Sequence, residues 1–211
     1  MRIALINSGL GLLAPAAVGL WGVGLVLYLL LVSLILLRWL TVPMTPATLG
    51  PPYWILMGAT AISVLAGARI LTLPATLPVV RATAGFVEGF SFTLWAFGTW
   101  WVPMLIVLGL WRYVSRHYPL TYEPTMWSVV FPLGMYCVAT LAFGKVAHLS
   151  FMEPIARFML WVAVAAWLAV VIVFLAKLVR RPAAPAEPAA PGEPAAPGEK
   201  AAKSAASSQQ V

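Results

Sequence analysis

The sequence predicts an all-α protein, a polytopic membrane helix bundle of five spans. Three observations support this: 62% of the 211 residues are apolar, only 9% are charged, and long uncharged runs separate the charges. An ordinary globular chain is about 45–50% apolar. A fold of this composition could not cover its apolar surface in water, so soluble enzymes, nucleic-acid-binding proteins and disulfide scaffolds are excluded. The net charge of +7 therefore indicates anchors at a lipid bilayer, with no nucleic acid as partner.

Each uncharged run is long enough to hold a membrane helix. A helix crosses ~30 Å of hydrocarbon in about 20 residues, and 35 uncharged residues lie between Arg2 and Arg38. The predicted spans are 17–40, 53–73, 86–111, 126–144 and 155–178, within a transmembrane domain at 17–181. Amphipathic aromatic residues at span ends support these bounds: they are Trp39, Tyr53, Trp54, Trp111, Tyr113 and Trp127.

The segments on either side of the transmembrane domain have a different composition. Residues 1–16 are too short to cross and contain Pro15, so we expect a partial helix or loop there. Residues 182–211 begin with three copies of a Pro/Ala-rich six-residue unit, which predicts an extended, disordered tail. A solubilising appendage and a docking peptide are both open interpretations of this tail.

The orientation is predicted from basic residues. Lys177, Arg180 and Arg181 follow the last span directly, and cytoplasmic loops are enriched in such residues. We therefore expect a cytoplasmic C-terminus, an outside N-terminus and a multi-pass location in the plasma membrane.

Pro132 is expected to bend the fourth predicted span. Proline lacks an N–H and pushes against the carbonyl four residues earlier, here that of Ser128, so the helix should bend. Phe131 precedes this kink and Gly134 follows it. The kink could serve helix packing, or it could turn the freed carbonyl and the Phe131 ring toward a polar pathway.

Small residues recur every four positions in the second predicted span, at Ala59, Ser63 and Gly67. Such a stripe allows two helix backbones to approach closely. The other interpretation is that this small face lines a narrow conduit.

Few ionisable residues lie near the spans. Arg69 and Glu88 could be exposed interfacial groups, a buried pair, or an anion-attracting site at Arg69. His117 and His148 have no neighbours at metal-ligand spacing. We therefore predict no metal, no cofactor and no catalytic residue, and we expect that the protein is not an enzyme.

Three segments resemble one membrane transporter family. Residues 126–140, Met-Trp-Ser-Val-Val-Phe-Pro-Leu-Gly-Met-Tyr-Cys-Val-Ala-Thr, resemble the ninth helix of the tellurite-resistance/C4-dicarboxylate transporter family, which includes the plant slow anion channels. Residues 51–59 with 65–69 look like the seventh helix, and residues 90–103 look like the eighth. The resemblance covers about 20–180 of this chain.

This resemblance implies a ten-helix fold built from five helical hairpins. In the family, kinked odd-numbered helices surround a central pore, and an aromatic ring on the ninth helix occludes it. Phe131 matches that ring and is the predicted pore gate. Family members conduct anions or carry dicarboxylates, commonly as trimers. Five further positions are predicted to line the pore or shape the kink: Ser63, Gly67, Ser128, Pro132 and Gly134.

The five predicted spans correspond to only half of that fold, helices six to ten. Two pore helices cannot enclose a pore, because the open side would expose polar backbone to lipid. The chain is therefore interpreted as a C-terminal fragment of a longer transporter, or as a subunit whose partner supplies the N-terminal half. The predicted function is transport of small inorganic or organic anions, including C4-dicarboxylates, with Arg69 as a possible point of anion attraction. The alternative is a non-transporting membrane scaffold or assembly subunit.

Overall fold

Five long helices make up the protein, and each is apolar and long enough to cross a membrane. The computed structural model describes the backbone of residues 2–179 and the side chains of residues 11–179. The helices are α1 (Arg2–Thr41), α2 (Ile55–Leu71), α3 (Pro78–Leu110), α4 (Trp127–Val146) and α5 (Met152–Val179). Residues 2–179 contain no strand, so the predicted all-α bundle of five spans is confirmed.

Short irregular turns join some of these helices. The 3-10 turns Pro51–Trp54 and Pro124–Met126 lead into α2 and α4, and a π-helical turn, Trp111–Ser115, follows α3. Prolines occupy the first positions of both 3-10 turns and of α3, where a missing N–H costs no helical hydrogen bond.

The N-terminal segment differs from the loop that we considered for residues 1–16. Helix α1 continues from Arg2 to Thr41 through Pro15. A single proline removes one backbone donor, while every remaining peptide group in an apolar segment still gains from helical pairing. The predicted tail at 182–211 lies outside the residues that the structure describes.

Helix α2 lies at the centre of the bundle and contacts α1, α3 and α4. Nine of its residues are buried, compared with four in the longer α5. Short connections make successive spans alternate in direction, so α2 and α4 run parallel and their N-termini reach the same membrane face.

Glycines allow the helices around α2 to approach closely. A Cβ added to Gly58 would lie 3.0 Å from Cγ of Pro132, so α2 and α4 meet there almost without a gap. A Cβ on Gly98 of α3 would overlap the Thr60 hydroxyl of α2. In a bilayer the hydrophobic effect contributes little to helix association, so the van der Waals attraction of such close contacts holds the helices together.

Hydrogen bonds between side chains join α3 to α4 inside the bundle. The Trp95 indole Nε1 donates to the Thr140 hydroxyl at 3.0 Å, and the hydroxyls of Thr99 and Tyr136 lie 2.6 Å apart. The Trp95 indole N–H would otherwise be buried without an acceptor in a medium that offers no water. These two hydrogen bonds therefore fix the rotation of α3 against α4.

Candidate functional site

The kink residue Pro132 faces the interior of the bundle. It is buried, and its ring packs against Gly58 of α2. Pro132 cannot donate to the carbonyl of Ser128, whose residue is half-buried. The proline is thus held by α2 on one side, at the turn of α4 where the backbone lacks one helical hydrogen bond.

Phe131 lies on the opposite side of the same helix turn. Its side chain is 58% exposed, and other large apolar residues on this face are also exposed. We call this face the outer face of α4, defined by Trp127, Phe131, Val138 and Leu141. Gly134 lies one turn beyond Phe131, with no atom within 4 Å of the place where its Cβ would be. The Phe131 ring therefore borders lipid, or it borders whatever second set of helices covers this face.

The small-residue stripe of α2 contacts neighbouring helices. A Cβ on Gly67 would overlap the Ser91 hydroxyl and would lie 3.5 Å from the Trp21 ring. The Ser63 hydroxyl donates to the Ala59 carbonyl at 2.9 Å, and the Ser63 carbonyl accepts from Trp21 Nε1 at 2.9 Å. The contacts at Gly67 are therefore those expected if the small-residue stripe serves close helix packing.

Two exposed cations lie at one end of the parallel pair α2 and α4. Arg69 is in the last turn of α2 and Lys145 in the last turn of α4, and both are exposed. Glu88 is exposed as well, and it makes no ion pair with Arg69. The buried-pair interpretation does not apply in this structure.

Both histidines have a backbone role. His117 and His148 have positive φ values of 51° and 56°. The residue that follows each histidine donates its N–H to the carbonyl of a residue five or six positions earlier in the chain. The Leu149 N–H bonds to the Gly144 carbonyl at 2.8 Å, and the Tyr118 N–H bonds to the Arg112 carbonyl at 3.2 Å. This pattern is a left-handed helix C-cap, a place usually taken by glycine.

Arg112 directly follows the third predicted span in the sequence, and the structure buries it. Its side chain is 5% exposed, and Nη1 donates to the Leu49 carbonyl. No motif in the sequence indicates this burial, because an arginine at the end of a span usually reaches toward water. Within residues 11–179 no group of His, Cys, Asp and Glu side chains could hold a metal ion.

Comparison with known proteins gives consistent matches over the helical part of the chain. The family profile described as SLAC1, voltage-dependent anion channel, matches residues 7–175. An uncharacterized membrane protein of Mycobacterium tuberculosis is 50% identical over 141 residues, which cover 67% of this chain and 71% of that protein. No solved structure gives a significant match.

Two archaeal proteins are more distant and longer. Two uncharacterized transporters of Methanocaldococcus jannaschii are each 28% identical, over 152 and 147 residues. The matches cover 72% and 70% of this chain but only 43% and 41% of those transporters. This chain thus matches less than half the length of these two relatives.

Proposed function

Because the chain belongs to the voltage-dependent anion channel (SLAC1) family, we propose that it moves small inorganic or organic anions, including C4-dicarboxylates, along a path obstructed by Phe131. The family match includes α2, α3 and α4 completely. The proposed path follows the outer face of α4.

The position of Phe131 beside a proline held by a neighbouring helix is the observation that carries this proposal. Pro132 packs against Gly58 of α2, which holds this turn of α4 in place. Phe131 is exposed next to it, and Gly134 leaves open space one turn away. The ring therefore has room to change rotamer while the backbone beneath it stays in place. A bulky apolar ring in a narrow passage would exclude a hydrated anion until it turned aside.

The charges of α2 and α4 favour an anion at both ends of this path. Arg69 and Lys145 lie at one end, and neither helix contains an acidic residue. At the other end the N-termini of both helices carry partial positive charge from the aligned peptide dipoles. No charge inside the path is needed, because the attraction acts at its two mouths.

Further helices must complete the path, because α2 and α4 alone would leave polar groups open to lipid. We propose that these helices come from an N-terminal half, on the same longer protein or on a partner. The complete protein would be a homotrimer in the plasma membrane, with the C-terminus cytoplasmic. The partial coverage of the archaeal transporters supports a missing half.

Anion flux in proteoliposomes tests the gate directly. The chain is reconstituted together with its missing half, and chloride entry is followed by quenching of an enclosed dye, with labelled malate efflux in parallel. If the Phe131 ring adds about 1.4 kcal/mol to the barrier, Phe131→Ala raises flux about tenfold. Phe158→Ala is the matched control, because Phe158 is 64% exposed on α5. Equal flux through wild type, Phe131→Ala and Phe158→Ala would remove the gating role.

The scaffold alternative predicts a different result in the same assay. Large apolar side chains are exposed on α1, α4 and α5, and a partner helix bundle could cover them. A scaffold would form a stable complex with that partner and would carry no chloride or malate, with or without Phe131.

A further inference from the structure

Arg112 is a buried charge with an unused hydrogen-bond donor. Its Nη1 donates to the Leu49 carbonyl, but Nε is buried and has no acceptor. The only ion pair within residues 11–179 joins Arg157 to Glu153, so no carboxylate neutralises Arg112 in this part of the chain. Burial of a charged group without such a partner is unfavourable, and a ligand that supplies one is correspondingly favoured.

The surrounding chain holds the guanidinium in one place. Its Cζ atom lies 4.2 Å from the centre of the Tyr118 ring and 5.2 Å from that of Tyr113. A Cβ on Gly50 would lie 3.1 Å from Nη1, so a larger residue would crowd the Leu49 contact. Arg112 also belongs to the π-helical turn Trp111–Ser115, a feature that recurs at functional sites. These contacts fix the position of the guanidinium plane.

Two cavities meet at this side chain. The first has a volume of about 300 Å³ and is almost entirely apolar; its lining includes Trp54, Gly109, Val129, Ala169 and Arg112. The second has a volume of about 230 Å³ and is more polar; its lining includes Thr48, Tyr118, Glu123, Thr125 and Arg112. Arg112 therefore stands between an apolar chamber bordered by α5 and a polar chamber at the helix ends.

We propose that this is a binding site for an anionic phospholipid, with an acyl chain in the apolar cavity and the phosphate accepting a hydrogen bond from the Arg112 guanidinium. A planar guanidinium matches the geometry of phosphate oxygens. Arg116 and Lys177 are exposed at the same membrane face, and basic pockets between membrane helices are suited to lipid headgroups. Glu123 also lines the polar cavity, so a headgroup with a single negative charge, such as phosphatidylglycerol, meets less repulsion there than a more highly charged one.

The lipid site and the proposed gate use different residues, so the two proposals can fail independently. The cavities lie at the end of the bundle that carries the N-termini of α2 and α4, one mouth of the proposed path, whereas Phe131 lies on the outer face of α4 and lines neither cavity. Lipid binding is also measured in an assay that does not depend on anion transport.

Native mass spectrometry of the detergent-purified full chain tests the proposal. Dioleoyl phosphatidylglycerol and dioleoyl phosphatidylcholine are titrated against wild type and three variants, and inorganic phosphate is the soluble-anion probe. Arg112→Gln removes the charge and the Nε donor. Gly109→Leu fills the apolar cavity, and a Cβ at Gly109 meets no atom within 4 Å. Arg81→Gln is the matched control, because Arg81 is an exposed cation near the start of α3, at the opposite end of that helix from Arg112.

The proposal expects wild type to prefer phosphatidylglycerol, with affinity lowered about tenfold or more in Arg112→Gln. Gly109→Leu should lower it as well, whereas Arg81→Gln should keep it. Because Gly109→Leu retains Arg112, it remains informative if Arg112→Gln does not fold. Undiminished binding of phosphatidylglycerol by Arg112→Gln or by Gly109→Leu would overturn the proposal. So would inorganic phosphate that binds as tightly as the lipid, since Arg112 would then hold a soluble anion.

Discussion

The contact between Gly98 and Thr60 gives a sharp test of how α3 packs on α2. Gly98 is buried in α3, and a Cβ there would overlap the Thr60 Oγ1 atom and lie 3.3 Å from the Thr60 Cβ. Thr60 is itself 1% exposed, and its hydroxyl donates to the Met57 carbonyl at 2.7 Å. In Gly98→Ala, either this hydroxyl must leave its hydrogen bond or the two helices must separate.

The expected loss of stability in Gly98→Ala follows from comparison with another glycine in the same helix. Gly89 is exposed, and a Cβ there meets no atom within 4 Å, so Gly89→Ala should stabilise by about 0.5–1 kcal/mol through backbone entropy. Gly98→Ala gains the same entropic stabilisation, but overpacking against Thr60 lowers the stability by about 1–3 kcal/mol. We therefore expect the free energy of unfolding of Gly98→Ala to fall about 1–3 kcal/mol below that of Gly89→Ala.

A double-mutant cycle identifies the cause of this loss. Thr60→Ala removes the overlapping oxygen, so Gly98→Ala should be much less harmful in that background. Unfolding is followed by far-UV circular dichroism during titration with sodium dodecyl sulfate in mixed micelles. Equal stability of Gly98→Ala and Gly89→Ala, or effects of the two substitutions that add within about 0.5 kcal/mol, would refute the contact.

Two further predictions concern a helix end and a buried hydrogen bond. His148→Gly should raise the thermal midpoint and His148→Val should lower it, because the φ of 56° costs L residues about 1–2 kcal/mol; a fall in both variants would contradict the C-cap assignment. Thr140→Val should destabilise by about 0.6–2 kcal/mol, because the Trp95 indole, now at 3.0 Å from Thr140 Oγ1, would lose its acceptor. Thr93→Val is the control, since the exposed Thr93 hydroxyl bonds only to the Gly89 carbonyl of its own helix; equal losses in the two variants would argue against a role for the Trp95 bond.

The number of spans and the fold class could be predicted from the sequence because they depend on composition and on the spacing of charges. A bilayer requires about 20 apolar residues per crossing, and that requirement needs no knowledge of tertiary contacts. The helix starts were less well predicted. Helix α3 begins at Pro78 rather than at residue 86, because residues 78–85, which include Arg81, continue the helix beyond the apolar run.

The packing faces could not be predicted, because a helix that is apolar on all sides carries no amphipathic signal. Only the tertiary structure places Pro132 inside and Phe131 outside on α4, and only it puts Gly67 against Ser91. For Arg112 the sequence indicated a charge at a span end, but its burial depends on Leu49 and Tyr118, which come from two different connections. Hydropathy is a property of each segment by itself, whereas a helix face or a buried charge is defined by the neighbours that the fold brings to it.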